Sequence, residues 1–348
     1  MEAEEINKPV TLKDVAEKSN FSLRTVKKVF LGEGSVRPKT RDHILAVAKE
    51  LNYTKNQMAS ILASNRQYHI AIVIGNFKYF FPEMKQGFIK CAESLRDYKV
   101  SIDFYVPKDK TMLSAQNLLA ELADREDIDA VILHASSMTG LERPINNLIE
   151  KGKPVFTVGA DAPYSKRIAF IGPKAYESGR IAAQVLANYV GKSGEVYVIN
   201  QMVEQMQTAE RTRGFLDAVE EKYPNINVHR IVVEEAEEYY NTVKELVKSN
   251  DVAGILCTDA DCYMAGRALQ DVDEKDVVVV GYDLTEEVEA LMELGYIKIV
   301  LSQNPALQAN VALRNMCEYL AVGSDVTKNI FTPVNIITSE CLRYQKEE

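Results

Sequence analysis

The chain has 348 residues, a formal charge of −9 at pH 7, and the proportions of apolar and charged residues that are ordinary for a globular protein. No apolar run approaches the roughly 20 residues needed to span a bilayer, and the acidic start MEAEEINKPV lacks the apolar core of a signal peptide. We therefore expect a cytoplasmic protein of two or three domains, with no membrane partner.

Charge is unevenly distributed along the sequence. Residues 8–66 hold 12 Lys and Arg against five Asp and Glu, a charge of +7, whereas residues 67–348 carry −13. A basic head on an acidic body indicates a polyanionic partner for the head alone. A basic surface that is merely solvated is the alternative interpretation.

Three short helices are predicted in the head. Thr11 begins the first as a capping box with Asp14, Ser22 caps the second, and Pro38 opens the third. Two helices joined by a tight turn and closed by a third form a helix-turn-helix, whose second helix can enter a major groove. The positions that we expect to be buried are Leu12, Val15, Ala16, Val26, Val29, Phe30, Ile44, Leu45, Val47, Ala48 and Leu51.

The second helix has an outward face of Leu23, Arg24, Lys27 and Lys28. Arg24 could donate two hydrogen bonds to guanine O6 and N7, and the lysines could reach bases or phosphates. Leu23 could contact a thymine methyl group. This face therefore predicts double-stranded DNA as the partner of the head.

The head resembles that of the LacI family of transcription regulators over about 55 residues. The similar elements are T-L-x-D-V-A, S-x-x-T-V-x-x-V, K-T-R-x-x-I and L-N-Y-x-x-N-x-x-A-x-x-L. Within the first 30 residues, the resemblance implies that seven residues contact DNA: Thr11, Ser22, Leu23, Arg24, Thr25, Lys27 and Lys28. The chain departs from the family pattern at Lys27-Lys28, at Leu31-Gly32 and at Arg37, and these differences bear on the operator sequence.

In the LacI family the segment after L-N-Y is a hinge helix that folds on the operator. The resemblance implies that Leu62 wedges into the minor groove, with Asn56, Ala59 and Ala63 beside it. The segment NQMASILA is too short to be a stable helix alone in water, so a simple linker is the alternative.

Beyond Tyr68, apolar runs of four to seven residues alternate with amphipathic stretches. This pattern predicts buried parallel strands separated by helices, in two α/β lobes with a ligand cleft between them. The predicted strands are HIAIVIG, KVSIDFY, AVILHA, PVFTVG, RIAFIG, EVYVIN, INVHRIVV, VAGILC, DVVVVGY and IKIVLS. The predicted helices include Glu83–Arg96, Gly179–Val190, Arg213–Lys222, Tyr240–Lys248 and Pro305–Tyr319.

The body resembles the type I periplasmic-binding-protein fold, which LacI regulators and free sugar-binding proteins share. The expected fold is therefore an all-α helix-turn-helix head joined by a hinge helix to an α/β body of two doubly wound parallel-sheet lobes. The expected domains are the DNA-binding head (8–55), the hinge helix and linker (56–66) and an effector and dimerisation body (67–340). The N-lobe takes about 67–170 and 302–333, and the C-lobe about 171–301 and 334–348.

Four segments of the body resemble sugar-contacting segments of the family: FFPEMKQGF, ERTRGFLDAV, VVGYDLTEE and VLSQNP. Aromatic rings can pack against the C–H faces of a sugar, while Asp, Arg and Gln can form hydrogen bonds with its hydroxyls. The effector-binding residues that the resemblance and the strand ends imply are Phe80, Phe81, Asp161, Arg211, Asp261, Asp283 and Gln303. Core packing is the alternative for the two phenylalanines, and a helix cap is the alternative for Asp283.

Enzyme classes find little support. The first strand of the body is not followed by G-x-G-x-x-G, and neither a P-loop nor a G-x-S-x-G turn is present. Five scattered cysteines and four distant histidines predict neither a metal site nor a disulfide framework, and no cofactor is expected.

The sequence thus predicts a homodimeric repressor that binds a near-palindromic operator and responds to a carbohydrate. A sugar-binding protein without a transcriptional role is the alternative.

Overall fold

The computed structural model describes residues 10–31, 36–51, 53, 67–75, 80–96, 99–109, 111–135, 139–200, 206–234, 236–249, 251–322 and 326–346. The chain forms two compact units, of which one contains the head with residues 97–99 and 317–325 and the other contains the remainder of the α/β body. The predicted hinge residues Asn56, Ala59, Leu62 and Ala63 lie outside the described residues.

The head contains three helices, α1 (Leu12–Ser19), α2 (Leu23–Leu31) and α3 (Pro38–Glu50), as predicted. The capping box at Thr11 is present, and α1 ends at Asn20, whose left-handed φ of 57° turns the chain. Val15, Val26 and Ile44 meet at the centre and are fully buried.

The prediction that Leu45 is buried was wrong, because its side chain is 41 % exposed. Successive residues of a helix point about 100° apart. Since Ile44 faces the core, its neighbour is turned toward the surface.

The first lobe of the body is built on a six-stranded parallel sheet in the order β11-β5-β4-β3-β1-β2. Its strands are β1 (Tyr68–Val73), β2 (Val100–Tyr105), β3 (Ala130–Leu133), β4 (Val155–Val158), β5 (Ala169–Gly172) and β11 (Asn329–Phe331). The helices between the first four strands are α4 (Phe80–Ser94), α5 (Met112–Asp124) and α6 (Glu142–Glu150). Every residue of β3, β4 and β5 is buried, as expected for strands covered on both faces.

The second lobe has a sheet in the order β12-β10-β9-β8-β6-β7, parallel except for β12, which runs antiparallel to β10. Its strands are β6 (Gly194–Asn200), β7 (Ile226–Val232), β8 (Val252–Cys257), β9 (Val278–Tyr282), β10 (Ile299–Ser302) and β12 (Asn335–Thr338). The helices of its chain segments are α7 (Ala175–Tyr189), α8 (Met206–Lys222), α9 (Ala236–Ser249), α10 (Cys262–Asp271), α11 (Glu286–Glu293) and α13 (Ser339–Lys346).

The chain crosses between the two sheets three times. It passes from β5 to α7, from β10 to α12 (Pro305–Val322), and from β11 to β12. Helix α12 returns to the first lobe, where Ala306 contacts Gly87 of α4 so closely that a Cβ on the glycine would lie 2.6 Å from the Cα of Ala306. Among the described helices, none combines the length and the apolar character that crossing a bilayer requires.

Candidate DNA-binding face and effector site

Helix α2 presents a basic, exposed face. Arg24, Lys27 and Lys28 are exposed, Leu23 is 39 % exposed, and the helix contains no acidic residue. Val26 and Val29 hold the opposite side against the core. Helix α2 therefore presents only positive charges on its exposed face, as contacts with DNA phosphates and base edges require.

The two predicted caps of the head are formed. The hydroxyl of Ser22 accepts the N–H of Thr25 at 3.2 Å and lies 2.9 Å from the Thr25 hydroxyl. Thr11 donates its hydroxyl to Asp14 Oδ2 at 2.7 Å, and these hydrogen bonds lower the pKa of Asp14. The hydroxyl of Thr11 is therefore already engaged within the cap of α1.

In the second lobe, Arg211, Asp283 and Gln303 lie around the end of β9. The guanidinium of Arg211 lies 3.9 Å from the centre of the Tyr282 ring, and its Nη1 donates to the carbonyl oxygen of Thr258 at 2.8 Å. Gln303 Nε2 donates to Asp283 Oδ1 at 2.8 Å. The structure therefore brings together these three predicted residues, which come from α8 and from the ends of β9 and β10.

Arg211 is fixed by an unusually close crossing of α7 and α8. An added Cβ on Gly179 would lie 2.0 Å from the carbonyl oxygen of Arg211, and one on Gly214 would lie 2.0 Å from that of Tyr176. Only glycine permits two helix backbones to approach so closely. The Nε of Arg211 is buried and has no hydrogen-bond partner among the described residues, so this donor is available to a ligand.

Asp283 occupies a strained backbone position at the end of β9. Its φ is +64°, in the left-handed region, and its N–H donates to the carbonyl oxygen of Leu301 at 3.2 Å. Surrounding protein atoms raise the pKa of its carboxyl, and the charge of Arg211 and the bond from Gln303 oppose that shift. Thr285, not Asp283, caps α11, since Thr285 accepts the N–H of Val288 at 3.1 Å.

Phe80 and Phe81 lie against a histidine that the sequence analysis did not select. The ring of His134 is centred 5.9 Å from that of Phe80 and 4.8 Å from that of Phe81. Phe81 is buried, as the core-packing alternative expected, while Phe80 is half-buried. Burial lowers the pKa of His134 to about 4, and its Nδ1 lies 3.0 Å from the carbonyl oxygen of Val158, so the ring is neutral with Nδ1 as donor. The only feature of the sequence that could have indicated a role for His134 is its position directly after β3.

Asp161 is held in a buried ion pair. Its carboxylate accepts Arg167 Nε at 2.5 Å and Nη2 at 2.6 Å, the hydroxyl of Thr157 at 2.7 Å, and the N–H of Ala162 at 2.8 Å. The side chains of Asp161 and Arg167 are only 8 % and 3 % exposed. Much of the acceptor capacity of this carboxylate is therefore used within the first lobe.

Asp261, the last of the predicted effector residues, is half-buried and occupies the N-cap position of α10. Its N–H donates to Asp259 Oδ1 at 3.1 Å, while its own side chain makes no cap hydrogen bond. Asp261 follows β8, and Asp283 follows the neighbouring strand β9.

A cavity of about 550 Å³ opens between the lobes. It includes Asp161 and Glu210, the neighbour of Arg211, but the other six predicted effector residues are not among its described lining residues. The lining includes three acidic and three basic residues, so their formal charges cancel: Asp161, Glu177, Glu210, Arg167, Lys174 and Lys328. The hydrogen-bonding cluster at Arg211 therefore borders this cavity and does not coincide with it.

Known families account for both units. Residues 70–325 match the model of the periplasmic binding protein domain, and residues 11–56 match that of bacterial regulatory proteins of the lacI family. The chain belongs to the LacI family of regulators, with a periplasmic-binding-protein body.

Individual relatives of this LacI-family regulator are distant. The ribose import binding protein RbsB of Bacillus subtilis is 21 % identical over 75 % of this chain and 84 % of its own length. Catabolite control protein A of Priestia megaterium is 24 % identical over 61 % of each chain.

Two solved structures share the fold of the body. The glucose-galactose binding protein GanP from Geobacillus stearothermophilus has a TM-score of 0.72 and 22 % identity, over 80 % of this chain and 99 % of its own. A putative LacI transcriptional regulator from Bacteroides fragilis has a TM-score of 0.71 and 20 % identity, over 80 % and 99 %. The family and the exposed basic face of α2 together make this chain a DNA-binding regulator.

Proposed function

We propose that this LacI-family regulator is a transcription repressor whose operator affinity is set by a carbohydrate bound between the lobes. The observation that carries the proposal is the presence, in one chain, of the basic face of α2 and of the cluster of Arg211, Asp283 and Gln303. A sugar-binding protein with no transcriptional role would not need the basic face of α2. Catalysis would need a nucleophile or an acid–base pair, whereas this cluster offers hydrogen bonds to a ligand.

The cluster suits a polyhydroxylated ligand. The buried Nε–H of Arg211 needs an acceptor, and the carboxylate of Asp283 needs donors in addition to Gln303. A sugar hydroxyl is both donor and acceptor, so neighbouring hydroxyls can satisfy both groups. Phe80 offers the half-buried apolar surface on which a sugar C–H face can pack.

The proposal extends to the assembly of the protein and to its contact with DNA. A head (8–55), a hinge (56–66) and a body (67–340) form a homodimer that works in the cytoplasm, where its DNA is. One helix-turn-helix reads too few base pairs for genomic specificity, so two heads on a near-palindromic operator are required. Leu62 wedges into the minor groove, and the effector changes the lobe angle and so the support of the hinge.

The test begins with selection of genomic DNA fragments that the purified protein retains. Fluorescence anisotropy then measures operator affinity with and without each sugar that raises the thermal stability of the protein. Arg211→Ala and Asp283→Ala should abolish the effector response and leave DNA affinity without effector nearly intact. Arg213→Ala, an exposed change two residues along the same helix, is the matched control and should leave both properties unchanged.

Salt dependence tests the head separately. Log affinity for the operator should fall linearly with log salt, with a slope of roughly −0.9 per phosphate neutralised. Lys27→Ala or Lys28→Ala should reduce that slope, whereas Lys49→Ala, at the end of α3, should reduce it less. DNA binding that is insensitive to salt, or a full effector response in Asp283→Ala and Arg211→Ala, would overturn the proposed roles.

A further inference from the structure

The core beneath α8 changes from apolar to polar toward the ends of β6 and β8. Val198 of β6 and Leu256 of β8 are fully buried in one apolar cluster with Phe215 of α8. Side chains two residues apart along a strand share a face of the sheet, and two residues after these positions come Asn200 and Thr258. Both are buried, so polar side chains replace apolar ones at the last positions of this face.

Asn200 joins β6, the end of β8 and α8 through its side-chain amide. Its Nδ2 donates to the hydroxyl of Thr258, which directly follows β8, and to the hydroxyl of Thr212 on α8 at 2.9 Å. The backbone N–H of Thr258 lies 3.4 Å from the carbonyl oxygen of Ile199, which is a long hydrogen bond. The amide of Asn200 therefore holds the end of β8 where the backbone pairing with β6 becomes weak.

Thr258 in turn holds Arg211. Its carbonyl oxygen accepts Nη1 at 2.8 Å, while the guanidinium lies 3.9 Å from the centre of the Tyr282 ring. Arg211 precedes Thr212 directly on α8. The amide of Asn200 is therefore hydrogen-bonded both to the helix that carries the arginine and to the residue whose carbonyl receives it.

The orientation of the Asn200 amide is determined by Thr212. The hydroxyl of Thr212 donates its one hydrogen to the carbonyl oxygen of Thr208 at 2.9 Å, so its oxygen can only accept. Nδ2 must face that oxygen, and Oδ1 is left buried with no hydrogen-bond partner in the part of the chain that the structure describes. A buried acceptor without a partner destabilises the fold, and an exception of this kind points to a functional requirement.

We propose that Asn200 is a positioning residue of the effector site, which fixes the guanidinium of Arg211 through Thr258 and Thr212. This inference rests on the proposed function, since it concerns the same site. Asn200 acts through Arg211 and not on the ligand. It keeps the buried Nε–H of Arg211 directed at the place that a hydroxyl oxygen of the effector occupies, so the arginine is already ordered when the ligand arrives.

Nuclear magnetic resonance of the arginine side chains tests the positioning on the full-length protein without a ligand. The Nε–H signal of Arg211, assigned by its loss in Arg211→Lys, should exchange slowly with water because the group is buried. Asn200→Leu and Thr212→Val should each speed this exchange by at least about tenfold, whereas Thr212→Ser keeps the hydroxyl and should restore slow exchange. Asn227→Leu removes an exposed amide of β7 that donates to Glu195, and this matched control should change nothing at Arg211.

A double variant separates positioning from stability. Asn200→Leu alone leaves the buried hydroxyl of Thr258 without its donor and should lower the melting temperature. Asn200→Leu with Thr258→Val removes both polar groups and should recover most of that loss. Isothermal calorimetry with glucose, galactose, ribose and arabinose then compares affinities. Any of these sugars that binds the parent protein should remain at least about tenfold weaker in the double variant.

The outcomes separate this inference from the function on which it rests. If Nε–H exchange in Asn200→Leu equals that of the parent, the amide does not position Arg211 and the inference is wrong, while the proposed function stands. Recovery of sugar affinity together with melting temperature in the double variant also overturns it, because the amide is then only a structural link. If none of the four sugars binds the parent, that result counts against the carbohydrate effector, and the exchange measurement still decides the role of Asn200.

Discussion

Replacing Gly214 by Ala should force α7 and α8 apart. The new Cβ would lie 2.0 Å from the carbonyl oxygen of Tyr176 and 2.8 Å from its carbonyl carbon, and both are backbone atoms. Ordinary contact begins near 3.4 Å, so the helices must separate by about 1.4 Å along that line. Overpacking of this kind typically costs about 1–3 kcal/mol. The separation would also loosen Phe215 and Ala182, which are fully buried in the crossing, so we expect about 3 kcal/mol of lost unfolding free energy.

Urea denaturation and thermal unfolding measure this loss, which corresponds to a melting temperature lower by roughly 6–12 °C. Gly152→Ala is the matched control, since Gly152 has a φ of +81° but no atom within 4 Å of an added Cβ. It should cost only the left-handed backbone strain of about 1–2 kcal/mol. Gly214→Ala should also weaken effector binding, because the crossing fixes Arg211. If the two variants lose equal stability, the close approach of the helices is not what stabilises this lobe.

Three further predictions concern stability. Because the pKa of Asp283 is raised, the native state binds more protons than the unfolded state, and stability falls as pH rises above its ordinary pKa of 3.8. Asp283→Asn should therefore raise the melting temperature at pH 7.5. Measured as a function of pH, this difference in melting temperature from the parent protein should decrease toward pH 4. Arg167→Met leaves the carboxylate of Asp161 buried without its cation and should lower the unfolding free energy by about 3–5 kcal/mol in urea, with partial recovery when Asp161→Leu is added. In the head, Ile44→Ala should cost about 2–5 kcal/mol and Leu45→Ala within about 0.5 kcal/mol; equal losses in thermal unfolding would contradict the exposure of Leu45.

The strands of the body could be predicted because burial on both faces demands continuous apolar runs. All ten predicted strands are present. The two that sequence reasoning missed, β11 and β12, are short edge strands whose residues are mostly exposed or half-buried. Their pairing with β5 and β10 depends on segments far away in the chain, so no local pattern reveals them.

The candidate site was predictable where a local sequence fixes the geometry. Arg211, Asp283 and Gln303 each lie at a strand end or helix start that the sequence marks, and the sheet brings those ends together. The ion pair of Asp161 was not predictable, because Arg167 reaches it only through the register of β4 and β5. The contact of His134 with the phenylalanines likewise arises from the packing of α4 beside β3.

The three crossovers between the sheets bear on the order in which the protein folds during synthesis. Neither lobe is a continuous stretch of chain, since Asn329 pairs with Phe170 and Asn335 pairs with Ser302. Both sheets therefore keep an uncovered edge strand until residues 329–338 have left the ribosome, and each bare edge can pair with another chain in the meantime. A nascent polypeptide that stops before Asn329 lacks an edge strand in both lobes at once, so it would need chaperone protection although most of its core has already been made.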